Sequence, residues 1–278
     1  MKVLITGKNG YIARKLATYL NNFDNIEASL LSVRNQILDK HLVFQGIDVF
    51  IHLSALVHKN EKKYRLQDYH DSNVNLTRQL VNRCVEGRVK HFIFFSSMAV
   101  YGSKRIITKD SSVYPNTKYG QSKLEAENYL LSLKNNIKIS IIRPPVVFGE
   151  KAPGNPQLLK SLAKFLCFTP NINNKKSIIF IQSLVQHVYE VIQLKHSQIT
   201  HPQMNMYFST SKLIQLLRAS LNKKTYKTSL LNLIIYPLFI FTIFRKAFGN
   251  QIYEIDVNDN NFSQLYDYTD VKFKDLYE

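Results

Sequence analysis

Only two cysteines, Cys84 and Cys167, occur in 278 residues. That excludes a disulfide framework and any cysteine-based metal spacing, and it fits a reducing compartment. Each cysteine reads as a small buried apolar residue. No run of 18 or more apolar residues is present, so no segment reads as a membrane span. The opening MKVLITG passes straight into strand-like sequence, without the basic, apolar and small-residue sections of a secretory signal. The expected location is the cytoplasm. Acidic residues are few as well: 20 Asp and Glu face 37 Lys and Arg, a formal charge of +17. Such a balance attracts anions. The basic residues are scattered, however, with no Lys/Arg-rich run and no DNA-binding motif, so nucleic acid is not an expected partner. What remains, at 45% hydrophobic and 21% charged residues, is the composition of an ordinary globular chain.

Val3-Leu4-Ile5, Val49 to Leu53, Phe92 to Phe95 and Ile139 to Ile142 are short apolar runs of the kind that forms strands covered on both faces. Ala28 to Val33 reads as a further strand, as does Ser177 to Ile181. Helical patterns lie between them, over Ile12 to Leu20, 72–87 and 117–135. This alternation predicts an α/β fold, a doubly wound parallel sheet of the Rossmann type with a smaller C-terminal substrate lobe. The sheet domain is expected over 1–148, also receiving 177–196, and the lobe mainly over 149–278. Leu230 to Phe244 is apolar but short, and Pro237 interrupts it. Burial in the small lobe is its preferred reading, with a membrane-surface or homodimer contact as the alternative.

In such sheets ligands sit at the carboxyl ends of the strands. After the first strand comes Thr6-Gly7-Lys8-Asn9-Gly10-Tyr11-Ile12-Ala13. Gly7 permits a tight turn, Gly10 lets the backbone approach a pyrophosphate, and Ala13 allows close helix packing. The helix that follows offers unpaired N–H groups and its positive dipole end. The second strand ends in Leu31-Ser32-Val33-Arg34-Asn35, with no acid to accept ribose hydroxyls. Arg34 suits a 2′-phosphate, aided by Lys8, so NADP(H) is favoured over NAD(H).

Phe95-Ser96-Ser97-Met98-Ala99-Val100-Tyr101-Gly102 stands at another strand end. Tyr119 and Lys123, four residues apart, share one face of the helix that follows. A free phenol titrates near about 10, too high for easy proton exchange at neutral pH. An ammonium about 4–5 Å away favours tyrosinate by roughly 3–4 kcal/mol at an effective dielectric near 20. Lys123 is therefore expected to draw the Tyr119 phenol toward neutrality, with Ser97 holding the reacting oxygen. His52, His58 and His91 read as structural or surface residues, and no metal spacing is evident.

The blocks LITGKNGYIA, IHLSALVH, SNVNLT, FIFFSSMAVYG, KYGQSKLEAE and IIRPPVVFG together resemble the NAD(P)-dependent epimerase/dehydratase family, the extended short-chain dehydrogenases acting on nucleotide sugars. By that resemblance Ser97, Tyr119 and Lys123 are catalytic, and Ser97 and Met98 meet the substrate. Gly7, Lys8, Asn9, Gly10, Tyr11, Ile12, Ser54, Ala55, Tyr119, Lys123, Pro144 and Val146 would line the cofactor. Asn73 would buttress the site, Arg143 would border the nicotinamide, and Asn155 and Lys176 would reach the substrate's diphosphate. SALVHKN, SSMAVYG, GNPQLLKSLAKF, NINNKKS, HPQMNMYFSTS and FRKAFGN are similar to capsule-polysaccharide 4-keto reductases, which implies a UDP-linked 4-keto-6-deoxy-N-acetylhexosamine as substrate. The family's dehydratases carry Asp-Glu after the strand-end serine or threonine, where this chain has Met98 and Ala99, so dehydration is excluded on chemistry. A 4-epimerase is the alternative, and a catalytically silent NADP-binding module a second one.

Overall fold

Burial decides which apolar runs become sheet. The computed structural model describes residues 1–33, 44–57, 64–194, 197–255 and 262–267. In chain order it runs β1 (Lys2–Thr6), α1 (Tyr11–Leu20), β2 (Glu27–Leu31), β3 (Val49–His52), α2 (Leu76–Glu86), β4 (His91–Phe95), α3 (Lys118–Ser132) and β5 (Lys138–Ile142). Then come β6 (Val146–Phe148), α4 (Asn155–Phe165), β7 (Phe168–Pro170), β8 (Ile178–Phe180), α5 (Ile181–Leu194) and β9 (Gln198–Thr200). The last main elements are α6 (Thr210–Ser220), β10 (Tyr226–Thr228), α7 (Leu230–Ile235) and α8 (Thr242–Phe248). Two compact units result: Met1–Ser103, Ser111–Pro144 and Ser183–His201 form one, and Lys104–Asp110, Pro145–Gln182 and Pro202–Glu278 the other.

The first unit is built on a six-stranded sheet in the order β9-β5-β4-β3-β1-β2. Every pairing in it is parallel. The fold is therefore the doubly wound α/β sheet expected of the alternating pattern. Strands β3 and β4 are buried along their whole length, as their unbroken apolar sequences require. Phe50, Phe92 and Phe94 pack with Leu80, Val81 and Cys84 of α2 and with Ala126 and Leu130 of α3. Each such side chain contributes about 1.5–3 kcal/mol by leaving water. Helix α1 presents Ala13, Leu16, Ala17 and Leu20 inward, the spacing of one apolar stripe. The chain crosses from β2 on one side of β1 to β3 on the other, so the order reverses there and leaves a crevice at the strand ends.

Three sequence expectations change. Ser177 to Ile181 does not enter the main sheet: β8 pairs with β6 in a separate two-stranded sheet, and β9 supplies the sixth main strand. A short apolar run is read the same way whichever partner it takes, so periodicity could not decide this. Leu230 to Phe244 is not core either. Helix α7 has no buried residue, and Leu230 and Leu233 are each 74% exposed. The helix is held instead through a polar side chain, Asn232 Nδ2 donating to the Asn171 carbonyl at 3.1 Å. Cys84 is buried as expected, but Cys167 is exposed.

Within the second unit, Ala163 and Leu159 of α4 meet Ile214 and Leu217 of α6. The buried Arg218 guanidinium is satisfied by carbonyls, donating to Ala163 at 2.8 Å and to Lys224 at 2.6 Å. Among the described residues no helix is long and apolar enough to cross a membrane.

Candidate active site

The glycine loop sits at the end of β1. Gly7 has a φ of +91°, a left-handed conformation that favours glycine, and its amide donates to the Leu31 carbonyl at 3.1 Å. Gly10 is required for a different reason: a Cβ there would lie 2.9 Å from the Gly7 carbonyl oxygen. Helix α1 starts at Gly10 with no side-chain cap and no acid in its first turn. Its N-terminal amides can therefore take a pyrophosphate. Lys8 and Asn9 are exposed beside the loop, while Tyr11 and Ile12 are half-buried. Arg34 and His58 lie outside the described residues.

Behind the loop, buried side chains lock the ends of β1 and β3 together. Thr77 Oγ1 donates to the Asn73 carbonyl at 2.6 Å, so His52 Nε2 must donate to Thr77, at 3.1 Å. His52 Nδ1 then accepts from the Thr6 hydroxyl at 2.8 Å, and Thr6 Oγ1 accepts the Leu53 and Ser54 amides at 3.1 Å each. Burial, reinforced by the nearby Lys123 charge, holds His52 well below the usual histidine range, in agreement with this neutral tautomer. Ser54 and Ala55 are thus positioned by a residue that their own sequence does not reveal. Asn73 grips the next step, accepting the Leu56 amide at 2.7 Å and donating to Ser122 Oγ at 2.9 Å. Ser122 in turn donates to the Tyr119 carbonyl at 2.8 Å.

Ser97, Tyr119 and Lys123 come together at the end of β4. The chain leaves Phe95 and turns into a short 3-10 segment, Met98–Tyr101, capped by Ser97 Oγ, which accepts the Ala99 amide at 3.1 Å. Thr117 caps α3 by accepting the Gly120 amide at 3.0 Å, which sets the phase of the helix. Tyr119 and Lys123 then face inward, both buried. The Ser97 and Tyr119 hydroxyls share a hydrogen bond. Lys123 Nζ donates to the Phe95 carbonyl at 2.7 Å and lies 4.5 Å from the Phe94 ring centre.

The electrostatics run opposite to the sequence expectation. Burial pushes the Tyr119 phenol up to about 12, only partly offset by the Ser97 hydrogen bond. Burial pulls Lys123 down to about 7, against the attraction of Glu127. Lys123 Nζ sits 5.9 Å from the Tyr119 ring centre. Desolvation favours the neutral form of each group, and for the phenol it outweighs the expected lowering by Lys123.

One turn beyond Lys123, Glu127 belongs to a second buried set. Its carboxylate accepts Arg143 Nε at 3.0 Å and Nη2 at 2.5 Å. Arg143 Nη1 also donates to the Tyr101 hydroxyl at 2.7 Å, and that hydroxyl pairs with His201 Nε2 at 2.9 Å. Burial would pull Arg143 down, but the Glu127 bonds outweigh it and raise it further. Sequence reasoning assigned Arg143 to the nicotinamide border and missed this pairing; the four-residue step from Lys123 to Glu127 was its one visible sign. Pro144 is buried, its carbonyl accepting the Met98 amide at 3.1 Å, and Met98 is buried with it.

The remaining residues named from sequence lie in the second unit. Val146 is the first residue of β6, paired with Ile178. Asn155 is exposed and opens α4. Lys176 Nζ donates to the Lys246 carbonyl at 2.6 Å, and partial burial pulls it down to about 8. Among the described residues no cluster of three or more His, Cys, Asp or Glu could hold a metal ion.

The pattern of the NAD dependent epimerase/dehydratase family matches residues 3–187. The chain is 30% identical over 254 residues to the N-acetyl-alpha-D-glucosaminyl-diphospho-ditrans,octacis-undecaprenol 4-epimerase of Escherichia coli O157:H7, covering 80% of this chain and 73% of that one. It is 27% identical over 266 residues to a UDP-glucose 4-epimerase of Vibrio cholerae, covering 88% and 77%. Among solved structures, the UDP-glucuronic acid 4-epimerase of Bacillus cereus in complex with NAD superposes with a TM-score of 0.75 at 19% identity, over 99% of this chain and 96% of the other.

Proposed function

The chain belongs to the NAD-dependent epimerase/dehydratase family, and from that premise we propose that it is a nicotinamide-dependent 4-keto reductase of a diphosphate-linked sugar. The carrying observation is the convergence of Ser97, Tyr119 and Lys123 at the end of β4, with the buried Tyr119 phenol hydrogen-bonded to Ser97. A protonated phenol is a general acid, the group that reduction of a carbonyl needs. Ser97 orients the C4 oxygen, and Tyr119 delivers a proton to it. Gly7, Gly10 and the first amides of α1 hold the dinucleotide's pyrophosphate, Ser54 and Ala55 line it, and Lys123 holds the ribose. When bound, the nicotinamide supplies the hydride. Met98 and Ala99 carry no proton, which leaves no acid–base pair for dehydration.

The substrate is a 4-keto-6-deoxy-N-acetylhexosamine on a nucleoside diphosphate, UDP in the first instance, used in surface-polysaccharide synthesis. A 4-epimerase is the second reading, favoured by the names of both curated relatives, one of which is named for a lipid-diphosphate-linked sugar. Stereospecifically deuterated NADPH with a UDP-linked 4-keto sugar separates the two. A reductase consumes cofactor stoichiometrically and places deuterium at C4. Interconversion of two 4-hydroxy sugars with no net cofactor change gives the assignment to the epimerase. For the cofactor, Arg34→Ala is expected to weaken NADPH binding by roughly 1.5–3 kcal/mol and leave NADH nearly unchanged. Tighter NADH binding by the unaltered protein overturns that preference.

A further inference from the structure

Between residues 151 and 253 the sequence has thirteen Lys and Arg and a single acid, Glu190. Glu190 lies in the first unit, so the second unit carries no acid between 151 and 253, although Lys151 pairs with the adjoining Glu150 at 3.0 Å. The same stretch exposes several large apolar side chains. β7 and β10 pair with Phe168 opposite Tyr226, their ring centres 5.8 Å apart, and both rings are exposed. α7 joins this edge through Asn232 and Asn171, adding exposed Leu230, Leu233 and Ile234. Lys223 Nζ donates to the Lys164 carbonyl at 2.9 Å, and the next residue, Phe165, is exposed. Lys164, Lys223, Lys224 and Lys227 stand exposed among these groups, and Arg245 and Lys246 follow exposed Ile240 and Phe241.

We propose that this face of the second unit docks on an anionic phospholipid bilayer. Exposed aliphatic and aromatic side chains gain by entering the headgroup–acyl boundary, and lysines beside them are drawn to acidic headgroups. A second copy of the chain would set one cationic face against another, and like-charge juxtaposition opposes that contact. The inference does not depend on the reductase assignment, and its test does not use activity.

The test is co-sedimentation of the full chain with phosphatidylcholine vesicles, with and without about 30% phosphatidylglycerol, over a salt series. The protein is expected on the anionic vesicles only, with binding that weakens as salt rises. Lys223→Gln and Lys224→Gln should each reduce partitioning roughly fivefold. Leu233→Ser combined with Ile234→Ser should reduce it at least about tenfold, with an unchanged thermal transition because both side chains are exposed. The chain has no tryptophan, so Ile240→Trp gives a single indole whose emission should shift to the blue on the anionic vesicles. Four outcomes overturn the proposal: no binding by the folded protein at low salt, equal binding to neutral vesicles, bound protein whose indole does not shift, or a dimer that Leu233→Ser disperses.

Discussion

Tyr119 with Lys123 and Tyr101 with Arg143 are two buried tyrosine–cation sets within one unit, and they end in opposite electrostatic states. Lys123 lies 5.9 Å from the Tyr119 ring centre, and Arg143 5.1 Å from that of Tyr101. Lys123 is drawn down to about 7, whereas Arg143 is raised. The difference lies in the cation, guanidinium against ammonium, and in how each meets the one carboxylate. Glu127 meets Arg143 through a two-point fork with the guanidinium and reaches Lys123 only at longer range. A buried guanidinium keeps its charge whatever meets it, and the Glu127 fork compensates that charge, whereas a buried ammonium without a direct carboxylate is drawn toward its neutral form. One set is thereby a strut with fixed charge, and the other a pair of groups able to exchange protons.

The largest break in this contrast is expected at the second set. Tyr119→Phe removes the proton donor while leaving packing nearly unchanged, and turnover should fall about 10²–10⁴-fold. Near-normal turnover of the purified variant would show that the phenol donates no proton. Glu127→Gln acts on the strut instead. It keeps the side-chain shape but leaves the Arg143 guanidinium buried without a counter-charge, a loss of about 3–5 kcal/mol in denaturant unfolding. A loss below about 1 kcal/mol, the scale of a surface ion pair, would mean that the fork is not the source of the difference.

A third test uses pH. Lys123 titrates near about 7 in the fold and near about 10.4 when unfolded. Across that window the unfolded chain binds the extra proton, so stability from this group rises with pH. Tyr119 acts in reverse above about 10, because the unfolded phenol ionises first and the folded one holds its proton up to about 12. Lys123→Met should reduce the rise, leaving the share of Lys176, and keep the later fall, read as denaturant midpoints between about pH 7 and 11. An unchanged rise would place the titrating group elsewhere. The smallest effect belongs to Tyr101→Phe, which deletes one acceptor for Arg143 and the partner of His201 Nε2. A cost of about 1–3 kcal/mol is expected, with turnover close to normal. A large loss of turnover would show that the strut takes part in the chemistry.

The sequence by itself determined five of the main sheet's six strands and the local parts of the site. Short β-branched and aromatic runs such as Phe92 to Phe95, bounded by small polar residues, read as strands covered on both faces, and Gly7 and Gly10 carry backbone requirements that few other residues meet. A four-residue step puts Tyr119 and Lys123 on one helical face whatever surrounds them. Those are local constraints, and local sequence expresses them. Tertiary structure alone decided the rest: that β8 pairs with β6, that Ser122 and His52 join Asn73 in bracing the loops, and that α7 stays exposed. It also set the direction of proton affinity at Tyr119 and Lys123. That direction depends on how much water is removed from around each group and on which cation Glu127 meets, and both are properties of side chains brought together from distant parts of the chain.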